Sequence, residues 1–205
     1  MVGALFIRPM FDAIVAGKKT KTSRFGDKQL WKIGQELYIK EPVYLWGTIG
    51  SNPQQKQIVW REHDLSYTGV TYAYDQCVPP DRQDIFWKFK QKLFCPEAAA
   101  RYGIRITNVG LRPIGKMKVN DFIAEGIERF FALDIESGKG EHQYKVHTTP
   151  NQIYSNRDPN EVFKYILRLT DKKFEYNPDQ LAWVYDFELF DLPRKDEAAN
   201  TLDRS

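Results

Sequence analysis

Cysteine is scarce in this chain: Cys77 and Cys95 are the two in 205 residues, far apart and without a C-x-x-C pair. That excludes a disulfide framework and a zinc knuckle. Histidine is nearly as rare, and His63, His142 and His147 fit no ligand spacing, so neither a metal nor a cofactor is expected. No run is long and apolar enough to span a membrane. Residues 1–7 are apolar but lack a charged leader and a small-residue cleavage site, so they read as a strand and the chain as cytoplasmic. An excess of one charge is also missing: 30 Lys and Arg against 27 Asp and Glu leave +3, which permits a nucleic-acid partner without demanding one. There is no internal repeat, no glycine-rich phosphate loop and no serine-hydrolase elbow.

What is present is 42% hydrophobic residues, enough for one well-buried core. Segments 5–7, 36–40, 67–74, 104–109 and 183–190 are rich in β-branched and aromatic residues and read as strands. Helices are expected over 9–16, where Pro9 suits a first turn and Gly17 a left-handed end, and over 119–127. A third opens at Asp158-Pro159-Asn160-Glu161, with Asp as cap and Glu completing a capping-type box. Val162, Ile166 and Leu169 then form its buried stripe, widened by Phe163 and Leu167. Residues 50–57 read as an exposed loop, and the charged residues 193–205 as a flexible tail.

The most informative stretch is Gly17-Lys18-Lys19-Thr20-Lys21-Thr22-Ser23-Arg24, four cations among hydroxyls directly after a short helix. In extended chain, alternation puts Lys19, Lys21 and Ser23 on one face and Thr20, Thr22 and Arg24 on the other. Two roles are open. Lys and Arg beside hydroxyls can clamp phosphate. A lysine in a dehydrated cleft has a lowered pKa and can act as a base toward a threonine or a water. A solvated, lysine-rich connection is the bland reading.

Read as Gly-x-Lys-x-x-Thr-x-Arg after Arg8-Pro9-Met10-Phe11, this motif resembles the opening of the ASCH family, of the larger, phage-associated type. Residues 31–41, 104–109, 121–127 and 183–189 are similar to its later elements. The resemblance implies an α+β fold, a PUA-like small β-barrel with flanking helices, as a single domain over 1–192 with insertions around 47–100 and 129–157. It implies RNA or a modified nucleoside as the partner. From the family's small acetylcytidine deacylases, it carries catalytic roles to Lys19, Thr22 and Glu125, with Glu128 as the competing match. An amidohydrolase and a ribonuclease are both open, as is a protein-interaction module without catalysis.

Arg24, Lys21, Glu41, Tyr44 and Trp46 are the expected nucleoside or nucleic-acid contacts. A carboxylate accepts from an exocyclic amine, and rings stack on bases. The alternative is that Tyr44 and Trp46 are core and Glu41 pairs with Arg24. Residues 86–92 interleave rings and lysines, as a single-strand surface or an ordinary amphipathic element would.

Overall fold

The computed structural model describes residues 1–48, 69–75, 85–133, 139–149 and 152–192, with backbone alone at 46–48, 69–71, 85–88 and 149. The expected loop at 50–57, the tail at 193–205, His63 and Cys77 lie outside the described residues.

In chain order the strands and helices begin with β1 (Val2–Leu5), α1 (Arg8–Val15), β2 (Lys21–Phe25), β3 (Glu36–Lys40) and β4 (Val43–Thr48). There follow β5 (Gly69–Tyr72), β6 (Ile85–Lys90), β7 (Tyr102–Pro113), α2 (Val119–Ala124) and β8 (Glu128–Leu133). The chain continues through β9 (Gly140–Thr149), β10 (Gln152–Asn156), α3 (Pro159–Thr170) and β11 (Leu181–Asp191). The fold is therefore mixed α+β and mostly sheet, and among the described residues the sheets stay open: no closed barrel forms. No helix among them is long and apolar enough to cross a membrane.

Two compact units account for these elements. The first comprises residues 1–5, 37–103 and 191–205. In it β1 runs parallel to β3, Val2 opposite Leu37 through Leu5 opposite Lys40. β4 is the central strand of an antiparallel sheet between β5 and β6. Val43, Leu45, Cys95 and Ala99 pack together there, with Tyr72 against them. The 86–92 alternation does make a strand, but Phe89 is 43% exposed, so its ring is not core. It instead meets Tyr44, its cross-strand partner, at 5.0 Å.

The second unit comprises residues 6–36 and 104–190. Here β2 pairs antiparallel with β11, Phe25 opposite Ala182 through Lys21 opposite Asp186, and β11 lies between β2 and β7. Buried Met10, Phe11 and Ile14 make the inner face of α1. α3 starts where Asp158-Pro159 places it, and the Asp158 carboxylate accepts from Asn160 N at 2.9 Å. Glu161 does not close the box, because Asp158 N donates to Asn156 Oδ1 and Glu161 takes Lys164 Nζ. Val162, Phe163, Ile166 and Leu167 are buried as the stripe requires, and Phe163 meets Phe122 at 5.4 Å. Leu169, in the last turn, is 41% exposed and outside the buried stripe.

The 129–157 segment, expected as an insertion, carries most of a three-stranded antiparallel sheet ordered β10-β9-β8. Tyr154 of β10 stacks on Tyr165 of α3 at 4.1 Å, which ties this sheet to the helix.

Candidate functional site

The site is built by two turns that meet. Gly17 ends α1 with φ of 69°, a conformation that costs glycine little, and Ala13 O then accepts from both Lys18 N and Lys19 N. Lys19 forms an isolated bridge with Glu125, and Thr20 N donates to Ala124 O. Gly126 turns the chain after α2 with φ of 96°, and a Cβ there would stand 3.2 Å from Lys19 Cβ. A side chain at 126 is disfavoured twice, by conformation and by space.

Lys19 is 2% exposed and Glu125 5%. Lys19 Nζ donates to Glu125 Oε2 at 2.5 Å, to Glu125 O at 2.9 Å and to Lys21 O at 2.7 Å. The three ammonium protons thus have three acceptors. Burial draws the Lys19 pKa below the usual lysine value, against the opposing pull of Glu125. The second Glu125 oxygen, Oε1, accepts from Ser23 Oγ at 2.6 Å.

Strand alternation organises this centre. Lys19, Lys21 and Ser23 all reach α2, Lys21 Nζ donating to Asp121 Oδ1 at 2.7 Å. Asp121 and Glu125 are four residues apart, so one face of α2 presents both carboxylates. Ser23 and Asp121 were not singled out from sequence. Period two along β2 and period four along α2 are the signals that find them. Asp121 also accepts from Arg112 Nη1 and Nη2 at 3.2 and 3.0 Å and from Lys118 N. Burial would raise its pKa, but Lys21 and these other partners outweigh that and hold it below the usual carboxylate range.

Thr22 and Arg24 occupy the other face of β2, opposite Tyr185 and Trp183. Thr22 is 2% exposed. The Arg24 guanidinium lies 5.2 Å from the Phe6 ring and 5.6 Å from Trp31, geometry for cation–π attraction. Of the two candidate glutamates, Glu125 contacts Lys19, whereas Glu128 takes Lys18 Nζ at 2.6 Å. The Lys18 hydrogen bond holds the Glu128 pKa below its usual value.

Two cavities flank the centre. One, of about 370 Å³, lies outside α1 among Arg8, Asp12, Lys18, Glu128 and His147. The other, of about 330 Å³, is lined by Lys21, Asn108, Gly110, Arg112, Val184 and Asp186. Val184 is the cross-strand partner of Ser23 and Asp186 that of Lys21, so this second cavity shares the sheet face of the buried centre.

Glu41, Tyr44 and Trp46 belong to the first unit. Glu41 is fully buried and both its oxygens are engaged, by Arg101 Nε at 2.9 Å and Nη2 at 2.8 Å. Arg101 also holds Asp75, and its guanidinium lies 4.2 Å from the Tyr72 ring. Burial works against the Arg101 charge, but Asp75 and Glu41 outweigh it and raise its pKa. Tyr44 pairs with Phe89 as described, and Trp46 continues β4 opposite Gly69 and Trp87, its side chain lying outside the described part. Among the described residues no group of three or more His, Cys, Asp or Glu side chains could hold a metal ion.

No family model matches the chain, and no curated protein matches it. Among solved structures, the crystal structure of protein EF3133 from Enterococcus faecalis V583, titled with the family model DUF984, is similar at a TM-score of 0.37 and 18% identity. The alignment covers 92% of this chain and 70% of that one. That likeness is too low for a shared fold to be read from it.

Proposed function

We propose that this chain binds a modified nucleoside, free or within RNA, as an ASCH-type PUA-like module, and hydrolyses an amide on its base. The observation that carries the reading is the Lys19–Glu125 contact. Residues 106 positions apart, paired by the family resemblance alone, lie 2.5 Å apart in a buried centre. A charged pair taken out of water costs free energy that hydrophobic side chains of the same size would not, so its retention points to use.

The geometry supports the following division of labour. Glu125 Oε1 takes the Ser23 proton as Ser23 Oγ bonds to the acyl carbon. That proton passes to the departing amine nitrogen as the C–N bond breaks. Water then cleaves the acyl–serine ester, giving a proton to Glu125, which returns one to Ser23 Oγ. Lys19 holds the Glu125 carboxylate in position between steps. The resemblance gives the hydroxyl role to Thr22 instead, and the two assignments separate by mutation.

One observation favours a second reading, binding without turnover. A lysine whose three protons are all donated is equally a lysine that holds α2 against β2. The test is chromatography of acetylcytidine and of a short single-stranded RNA, each incubated with wild type and Lys19→Ala. Deacetylation by wild type alone supports the hydrolase, strand cleavage by wild type alone makes it a ribonuclease, and two intact substrates leave the binding module.

A further inference from the structure

We infer that the cavity between Lys21 and Arg112 is a phosphate subsite, so that the substrate is a nucleotide or an RNA residue in preference to a free nucleoside. This rests on the nucleoside reading above. The reasoning is a count of hydrogen-bonding capacity around the 330 Å³ space, a volume at the small end of the range of about 300–1,000 Å³ for ligand pockets.

The carboxylate behind this space, Asp121, is spent, while Asp186, which lines it, carries one contact on each oxygen. Asp121 Oδ1 takes Lys21 and Arg112, and its Oδ2 takes Arg112 and Lys118 N. Asp186 Oδ1 faces Lys21 Nζ at 3.3 Å, and its Oδ2 accepts from Asn108 Nδ2 at 2.9 Å. The donors are not spent. Arg112 commits two of its five N–H groups, both to Asp121, which leaves three. Lys21 retains one proton beyond Asp121 and Asp186, and Asn108 one beyond Asp186.

The cationic side of this wall, Arg112 with three uncommitted N–H groups and Lys21 with one, favours a ligand that brings acceptors. Phosphate does this, and guanidinium grips two of its oxygens together. Asp121 has a positioning role here: by accepting from both cations on Oδ1 it fixes Lys21 and Arg112 side by side. Gly110 leaves the wall open, since a Cβ there would touch nothing within 4 Å. Because Val184 is the cross-strand partner of Ser23, the subsite and the Ser23–Glu125 pair share one sheet face. The two carboxylates keep the subsite close to neutral, so its contribution is selectivity of about tenfold, the scale of one charge-assisted hydrogen bond.

The experiment is NMR titration of wild type and Arg112→Gln with inorganic phosphate, cytidine, cytidine monophosphate and the phosphodiester-linked dinucleotide of cytidine. The Arg112 Nε–H signal is identified by its loss in the variant. Inorganic phosphate is expected to shift that signal, and the monophosphate to bind about tenfold more tightly than cytidine. Arg112→Gln should erase the difference and leave cytidine affinity unchanged, with Arg112→Lys retaining part of it. A gain shared by the dinucleotide assigns the subsite to an internal RNA phosphate, and a gain confined to the monophosphate assigns it to a terminal one. Equal affinity for cytidine and its monophosphate, or a gain that survives in Arg112→Gln, overturns the proposal. Failure of the underlying reading looks different: phosphate binding at Arg112 with acetylcytidine left intact keeps the subsite and removes the reaction.

Discussion

Lys19 Nζ and Glu125 Oε2 lie 2.5 Å apart with side-chain exposures of 2% and 6%. Removing one partner strands a buried charge, at a cost of about 3–5 kcal/mol, whereas replacing both by apolar groups of similar size is close to neutral. Urea denaturation should therefore show Lys19→Met and Glu125→Leu each strongly destabilised and the double variant more stable than either. Additive losses would show that the pair does not act as a unit.

Two hydroxyls compete for one role. Ser23 Oγ donates to Glu125, while Thr22 faces the opposite side of β2. Ser23→Ala should lower acetylcytidine turnover by about a hundredfold or more, on the scale of losing a positioned acid–base partner, and Thr22→Val should leave it within a few-fold. The reverse order would return the role to Thr22.

The acid limb of stability should carry a contribution from Asp121. Its folded pKa is lowered, so the stabilisation is fully present above its unfolded value of about 3.9 and is lost as pH falls through the folded value. Denaturation midpoints of wild type and Asp121→Asn should differ at pH 6 and draw together as pH falls below about 3.9. A difference unchanged across that span would contradict the linkage.

Cys95 should be inert while the protein is folded. Burial pushes its thiol up to about 11, against a backbone hydrogen bond at Glu41 that pulls it down, so at pH 8 roughly one part in a thousand is thiolate. In a Cys77→Ser background, iodoacetamide should modify Cys95 about a hundredfold more slowly than a free thiol, and at the free rate in urea. Fast labelling of the folded protein would contradict the buried setting.

Local chemistry was legible in the sequence where it acts over a few residues. Asp158-Pro159 fixes the start of α3, Gly17 the end of α1, and alternation beyond Gly17 puts Lys19, Lys21 and Ser23 on the face that meets α2. Contacts between distant segments were not legible. Nothing near Glu41 marks Arg101, 60 residues away, as its partner, and both oxygens go there. The strand β8 was missed because Phe131 and Leu133 stand on its exposed face and Glu128 on the less exposed one, so no polar–apolar alternation marks it. The open sheets also differ from the small barrel that the family resemblance implies. The face-sharing of Asp121 and Glu125 was readable from their spacing. Its meaning needed Lys21 and Ser23 on the facing strand.

The decisive measurement is the initial rate of cytidine formation from acetylcytidine by wild type and Glu125→Gln, compared at equal folded fraction. Turnover by wild type and a loss of about a hundredfold or more in the variant is the expected result, since the amide cannot take the Ser23 proton. Equal rates, or no product from either protein, would contradict a reaction centre at Lys19, Ser23 and Glu125.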